Sequence, residues 1–241
     1  MTKCHRLKFM SEYEQKLIEE AEVYIKDHKR ELIARFADPK KYHSVDHPIS
    51  LFMAGSPGAG KTEISKRLIE QFANNAPVRI DADDIREMFP NYTGSNSHIF
   101  QRACTTGVNK LFDYVLDHKL NVILDGTFAY ERAMENIDRS LKRDRRVIIY
   151  YLFQDPAVAW KFTKIREETE GRRVSKEVFI HSFFRARKNV NEAKEHFGEK
   201  IELNMIIKDF TNNFEKVYSN IGSIDKYLPK IYTINELEEI L

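Results

Sequence analysis

Residues Gly55-Ser56-Pro57-Gly58-Ala59-Gly60-Lys61-Thr62 carry the spacing G-x-x-x-x-G-K-[ST]. Its four fixed residues arise by chance on the order of once in a hundred chains of this size. The chemistry that asks for them is polyphosphate binding. Glycines let the main chain turn tightly and bring its N–H groups close to phosphate oxygens. A helix that starts at the lysine turns its positive end towards the same anion. Lys61 then reaches the β- and γ-phosphates as a point charge, and the Thr62 hydroxyl is placed to ligate magnesium. The bland alternative is a Gly-rich turn between a strand and a helix.

Ile80-Asp81-Ala82-Asp83-Asp84-Ile85-Arg86 brings three carboxylates to the expected carboxyl end of a strand. Ligands of open α/β sheets bind at such ends. Side by side the acids repel one another unless a cation or a substrate proton uses them. One is expected to face an acceptor hydroxyl and take its proton, and Asp83 is our choice. Arg86 follows on the same helical face, where it can hold a phosphate of either substrate. The competing reading is a helix cap at Asp81 or Asp83, with the other acids solvated.

Leu124-Asp125-Gly126-Thr127 ends an apolar run in an acid. Beside a phosphate loop, Asp125 reads as a group polarising magnesium or its water, or else as a contact to the acceptor. A strand-end Asx turn into Gly126 is the simpler reading. Arg166 and Gly171-Arg172-Arg173-Val174-Ser175 supply fork-shaped cations for charge that develops on a phosphoryl group. A segment hinged at Gly171 can close over a nucleotide and exclude water. Alternatively these arginines form a solvated basic turn paired with Glu167, Glu168 and Glu170.

The elements that must position these residues are legible. A helical pattern over residues 11–37 ends at Asp38-Pro39. Apolar runs at 49–54, 78–81, 121–125, 146–153 and 201–207 read as strands. Helical patterns at 61–72, 98–118, 133–142, 156–169 and 175–196 alternate with them. Asp155 is the expected N-cap of the fourth of these and Pro156 its first residue. Residues 214–218 suit an edge strand, and 234–241 a closing helical turn. The series predicts an α/β fold: a P-loop NTPase-like parallel sheet covered by helices on both faces. One domain is expected over 1–241, with an N-terminal helical extension at 1–46, a core at 47–207 and an irregular C-terminal extension at 208–241.

Composition narrows the class. The chain has 241 residues, enough for one large domain. It is 42% hydrophobic and 32% charged, so a packed core is expected and disorder is not. A net charge of +2 gives no support for non-specific nucleic-acid binding. Cys4 and Cys104 lie far apart and imply no disulfide framework, so a reducing cytoplasm is the expected compartment. There is no apolar run of membrane-spanning length and no secretory signal pattern. The pair His43 and His47 lacks a convincing third zinc ligand. Arg185 and Arg187 read as solvated faces of the last long helix.

Taken together, G-S-P-G-A-G-K-T, I-D-A-D-D-I-R with Phe89-Pro90-Asn91-Tyr92 behind it, the strand ending D-G-T, the arginine helix and G-R-R-V-S resemble the zeta-toxin kinases. The resemblance covers roughly residues 48 to 190. It implies a toxin of a toxin–antitoxin pair that uses ATP and magnesium. The implied acceptor is the 3′-hydroxyl of UDP-N-acetylglucosamine, whose loss starves cell-wall synthesis. By position, Lys61 resembles the P-loop lysine and Asp83 the aspartate that activates the hydroxyl. Arg166 and Arg172 resemble the two lid arginines, with Arg173 one slip away as a nucleotide contact. Asp81, Arg86, Asp125 and Thr127 fall on the acceptor side, and Thr62 and Asp125 on the metal. Asp125 stands where several members carry glutamate in E-G-T, and the spacing of Arg166 to Arg172 is compressed. Antitoxins of the family can block the nucleotide site with a helix. The helix at 11–37 either does so in cis or covers the sheet, and we favour the second.

The same parts resemble 5′-polynucleotide kinases, which would need a basic channel leading to Asp83. A nucleotide-binding regulatory module without turnover is the third reading, and it has no use for acids at Asp81, Asp83 and Asp125.

Overall fold

The computed structural model describes residues 11–72, 75–209 and 214–241. Cys4 therefore lies outside the described residues. Six strands form one sheet in the order β2-β3-β1-β4-β5-β6. They are β1 (Ile49–Ala54), β2 (Val78–Asp81), β3 (Val122–Asp125), β4 (Arg146–Gln154), β5 (Ile201–Asp209) and β6 (Phe214–Tyr218). The first five run parallel, and β6 adds an antiparallel edge on β5. The α/β sheet expected from the alternating pattern is thus the observed one.

Side-chain alternation along β1 divides the core in two. Phe52 and Ala54 point into the larger cluster, which α5 (Gln101–Asp117) and α8 (Lys176–Phe197) fill with Leu111, Phe112, Phe179, Phe183 and Val190. Leu51 and Met53 point to the other face, under Ile64 of α3 (Lys61–Glu70). A strand buried on both faces does not alternate polar and apolar residues, so β1 reads as a mostly apolar run broken only by Ser50.

The single helix expected over 11–37 is two, α1 (Glu12–Asp27) and α2 (Lys29–Phe36). Ser11 and Glu14 form a capping box that starts α1. His28 breaks it. Both its backbone N–H (2.9 Å) and its ring Nδ1 (2.8 Å) converge on Tyr24 O, and the residue leaves helical geometry at φ −94°, ψ 27°. Leu17, Ala21, Ile25 and Leu32 bury in the main core against α5. The two helices pack on α5, and α2 also meets β2.

A second difference is the short helix α4 (Ala82–Arg86), which follows β2 directly. Asp81 is its N-cap, accepting from the Asp83 N–H at 2.9 Å. The remaining helices are α6 (Ala133–Leu141), α7 (Pro156–Glu170) and α9 (Ile234–Ile240). Asp155 caps α7 and Pro156 opens it, as expected. No helix among the described residues is long and apolar enough to cross a membrane.

Arg187 corrects one expectation. Its side chain is only 19% exposed and pairs with Asp225 at 2.7 Å, tying α8 to the C-terminal segment. Two arginines two residues apart on one helix cannot be judged buried or solvated from their charge alone. Arg187 turns inward because residue 225 returns to meet it.

Candidate active site

The strand order brings the carboxyl ends of β2, β3, β1 and β4 side by side, and every candidate residue hangs from one of them. The phosphate loop leaves β1 at Gly55, which has φ +131°. A Cβ there would sit 2.3 Å from Leu152 O. Gly58, at φ +73°, is pressed as closely on α7, where a Cβ would lie 2.1 Å from Ala159 O. Only glycine fits either position, for space as well as for φ. The Gly55 N–H donates to Thr127 O at 3.1 Å, so the end of β3 tethers the loop.

Ser56 and Ala59 are buried, while Pro57, Gly60, Lys61 and Thr62 are partly exposed at the loop's rim. Lys61 Nζ curls into the loop and donates to Ser56 O (2.6 Å) and Gly55 O (3.1 Å). Burial pushes its ammonium down to about 8; Asp125 and Asp81 pull it up, and Arg172 and Arg166 push it further down. One lysine therefore senses the ends of β2 and β3 and both lid arginines. This is the electrostatic signature of a site built from elements distant in sequence.

Asp81 and Asp125 are register partners on β2 and β3. Between them lies Arg79, a residue that sequence reasoning did not single out. It donates to Asp81, to Asp84 at 2.5 Å and to Asp125 at 2.9 Å. Ser65, one turn into α3, donates to the same Asp125 Oδ2 at 2.7 Å. The cation that the acid cluster required is thus intrinsic. The sequence clue is that Arg79 and Asp81 are two apart on a strand and share a face. Burial, then Asp125, pushes the Asp81 carboxyl up to about 6, against the pull of Arg79.

Asp83 stands apart from that cluster. Its Oδ1 accepts from Arg86, and its Oδ2 from Arg172, with Arg166 at 4.0 Å. Arg86 is 5% exposed and also donates to Gln101 at 2.8 Å, so in this structure it holds Asp83 rather than facing a substrate phosphate. Arg166 also pairs with Glu170 at 2.8 Å. Gly171 ends α7 in the left-handed region and turns Arg172 inward. Burial lowers the pKa of Arg172. Arg173 points the other way, 76% exposed and 3.6 Å from Glu167. The structure thus gathers Arg166 and Arg172 at Asp83 and leaves Arg173 outside.

A magnesium ion in a nucleotide site keeps several waters and takes one or two protein oxygens besides phosphate. The Thr62 hydroxyl, in the first turn of α3, fits that demand. Asp125 fits it less directly, since its Oδ2 is already taken by Ser65 and by two nitrogens of Arg79. Among the described residues no group of three or more His, Cys, Asp or Glu can hold a metal, His43 and His47 included.

A six-stranded α/β sheet with this loop and this arginine segment defines a P-loop kinase fold. The zeta-toxin family profile matches residues 33–220, and the chain belongs to that family. It is an ATP-dependent phosphotransferase. Among solved structures it is similar to a chain of the PezAT chromosomal toxin–antitoxin system of Streptococcus pneumoniae. That match has a TM-score of 0.64 and 16% identity, covering 97% of this chain and 89% of the other. It is also similar to the AvrRxo1-ORF1:AvrRxo1-ORF2 complex with ATP, with a TM-score of 0.58 and 15% identity over 87% and 68% of the two chains. At those identities the likeness is one of fold. No curated protein matches the chain by sequence.

Proposed function

We propose that this kinase transfers the ATP γ-phosphate to a hydroxyl of a small molecule, a UDP-activated amino sugar such as UDP-N-acetylglucosamine, as the toxin of a toxin–antitoxin pair. The observation that carries the reading is the meeting of Arg166 and Arg172 at Asp83. A carboxylate beside the phosphate loop with two lid arginines is what in-line transfer to an alcohol requires.

Asp83 takes the proton from the acceptor hydroxyl as that oxygen forms its bond to the γ-phosphorus. The bond to the β,γ-bridging oxygen breaks, and ADP leaves with its electron pair. Lys61 and the loop N–H groups hold the β- and γ-phosphates. Arg166 and Arg172 meet the charge on the equatorial and bridging oxygens. Arg86 aims Asp83. Magnesium, held by Thr62 and the phosphates, would neutralise charge on the leaving diphosphate. Asp81, Asp125 and Thr127 then line the acceptor side. The partner of such a toxin is an antitoxin protein, and neighbours of this fold come from a toxin–antitoxin system.

The test incubates the protein with ATP, magnesium and a panel of nucleotide sugars, other metabolites and 5′-hydroxyl oligonucleotides, with products read by mass spectrometry. A UDP-amino sugar gaining one phosphoryl group is the expected result. Phosphorylated oligonucleotides alone would replace it with a polynucleotide kinase. In parallel, inducing the chain in bacteria should slow growth, and Asp83→Ala should relieve the effect.

A further inference from the structure

Asp83 is not the only place where the arginine segment touches the acceptor side. Between α4 and α5 the chain turns at Gly94, which is buried and has φ +81°. The turn is built by its own hydrogen bonds. The Thr93 N–H donates to Asn96 Oδ1 at 2.9 Å, and Asn96 Nδ2 donates to Asn91 O at 2.8 Å. The Ser97 N–H donates to Gly94 O at 3.2 Å. One asparagine thus ties the turn on both sides of Gly94, and none of these bonds involves α7.

That turn lies against the end of α7. A Cβ on Gly94 would sit 2.9 Å from Glu170 O and 3.3 Å from the carbonyl carbon of Gly171. From the other side, the atom nearest a Cβ on Gly171 would be Thr93 O, at 3.7 Å. Two left-handed glycines therefore meet backbone to backbone, Gly94 at φ +81° and Gly171 at φ +69°. The positive φ explains glycine at 94 locally, but the close approach to α7 is a separate, steric demand. Gly171 is the residue that turns Arg172 to Asp83. How deeply Arg172 reaches into the site thus depends on how closely the two turns approach.

We propose that Gly94 is a positioning residue: its bare backbone is the seat on which the Glu170–Gly171 turn rests, and that seat sets the depth at which Arg172 meets the transferring phosphoryl group. A methyl group at 94 cannot stay 2.9 Å from a carbonyl oxygen, so the α7 turn must back away by on the order of half an ångström. A misplacement of about 1 Å at a positioned group costs on the order of a hundredfold in rate, so this one should cost on the order of tenfold. The inference rests on the catalytic reading of Arg172 for its effect on turnover. The contact itself is measurable without that reading.

The experiment is amide hydrogen exchange of the full chain, read by mass spectrometry over residues 166–175. ATP consumption with magnesium and UDP-N-acetylglucosamine is measured alongside. Gly94→Ala should raise exchange over 166–175 by about threefold or more and leave peptides of β1 unchanged. Gly94→Asn tolerates the left-handed region but carries a Cβ, and it should behave as the alanine variant does. The kcat should fall about tenfold, with KM for ATP within about threefold of wild type. Added to Arg172→Ala, Gly94→Ala should cost less than about a further twofold, because the residue it positions is gone. A folded Gly94→Ala with wild-type exchange over 166–175 would overturn the proposal. So would wild-type behaviour of Gly94→Asn, which would make backbone strain the whole effect, or a tenfold loss repeated in full on Arg172→Ala. Should neither Gly94 variant fold, Asn96→Ala removes the ties of the turn without adding bulk, and unchanged exchange over 166–175 in that variant would overturn the proposal equally. Exchange needs no acceptor, so a failure to phosphorylate UDP-N-acetylglucosamine would sink that sugar and leave exchange to decide the seat.

Discussion

The guanidinium of Arg172 rests on the carboxylate of Asp83, so the expected base and the expected partner of the γ-phosphate hold each other. A carboxylate bound by an arginine is a poor proton acceptor, because the neighbouring positive charge favours its ionised form. A nucleotide offers Arg172 a more highly charged partner. Transfer of the arginine from Asp83 to the phosphate would free the base as ATP arrives. Arg172→Ala should therefore lose two to three orders of magnitude in turnover, about 3–4 kcal/mol of barrier, as arginines on transferring phosphoryl groups do. Arg173→Ala, at an exposed ion pair, should change turnover less than about threefold. Steady-state ATP consumption with the acceptor measures both. Equal losses would mean that the arginine segment rearranges so that both residues reach the nucleotide.

Asp83→Asn keeps the shape of the side chain and its contact with Arg86 but removes the proton acceptor. Turnover should fall by a hundredfold or more, on the order of general-base contributions. ATP affinity should stay within about threefold, roughly half a kcal/mol. Comparing calorimetric binding with single-turnover rates separates the two. Lost binding with the rate intact at saturation would move the base to Asp81 or Asp125.

Lys61→Ala should leave the melting temperature near that of wild type and abolish turnover, with ATP binding measurably weaker. Among the described residues, Nζ donates hydrogen bonds to Gly55 O and Ser56 O of its own loop and to no other element, so the fold does not depend on it.

The pH dependence of ATP binding follows from the same residue. Lys61 is depressed from its ordinary 10.5 to about 8 in the free protein. Bound phosphate favours the charged form and raises that value again. Below pH 8 the ammonium is already present, so this group adds no pH dependence. Between about 8 and 10 ATP binding must take up a proton, and affinity should fall by up to tenfold per pH unit. Calorimetry in EDTA, in buffers of different ionisation heat, would detect the uptake. A flat affinity through pH 9.5 would contradict a lysine charge that is depressed at rest.

Gly58→Ala tests how the loop is built. The left-handed conformation costs a non-glycine residue about 1–2 kcal/mol, and a Cβ 2.1 Å from Ala159 O forces the loop off α7 as well. ATP binding should be lost and the melting temperature lowered by several degrees. Gly126→Ala, where a Cβ would meet nothing within 4 Å, is the control and should keep ATP affinity.

The phosphate loop was legible because its work is done by consecutive residues and their own backbone. Gly55, Gly58, Gly60, Lys61 and Thr62 need no partner from elsewhere to declare a phosphate cradle. The strands were legible for a similar reason, since burial on both faces leaves largely apolar runs such as Leu51–Ala54 and Val122–Leu124. The helix start at Asp155 announced itself through its cap, which is a local hydrogen bond. That sufficed for fold class, ATP chemistry and family.

Tertiary structure alone decided who neutralises whom. That Asp81 lies beside Asp125 depends on the pairing of β2 with β3, strands 40 residues apart. Only that pairing makes Arg79 the shared cation of the acid cluster. Only the left-handed turn at Gly171 sends Arg172 to Asp83 and Arg173 to Glu167. His28 splits the first helix because its backbone and ring compete for one carbonyl, a contest that apolar periodicity does not register. Charges act through space, so the order of residues specifies which groups are present, and the packed sheet specifies the distances at which they meet.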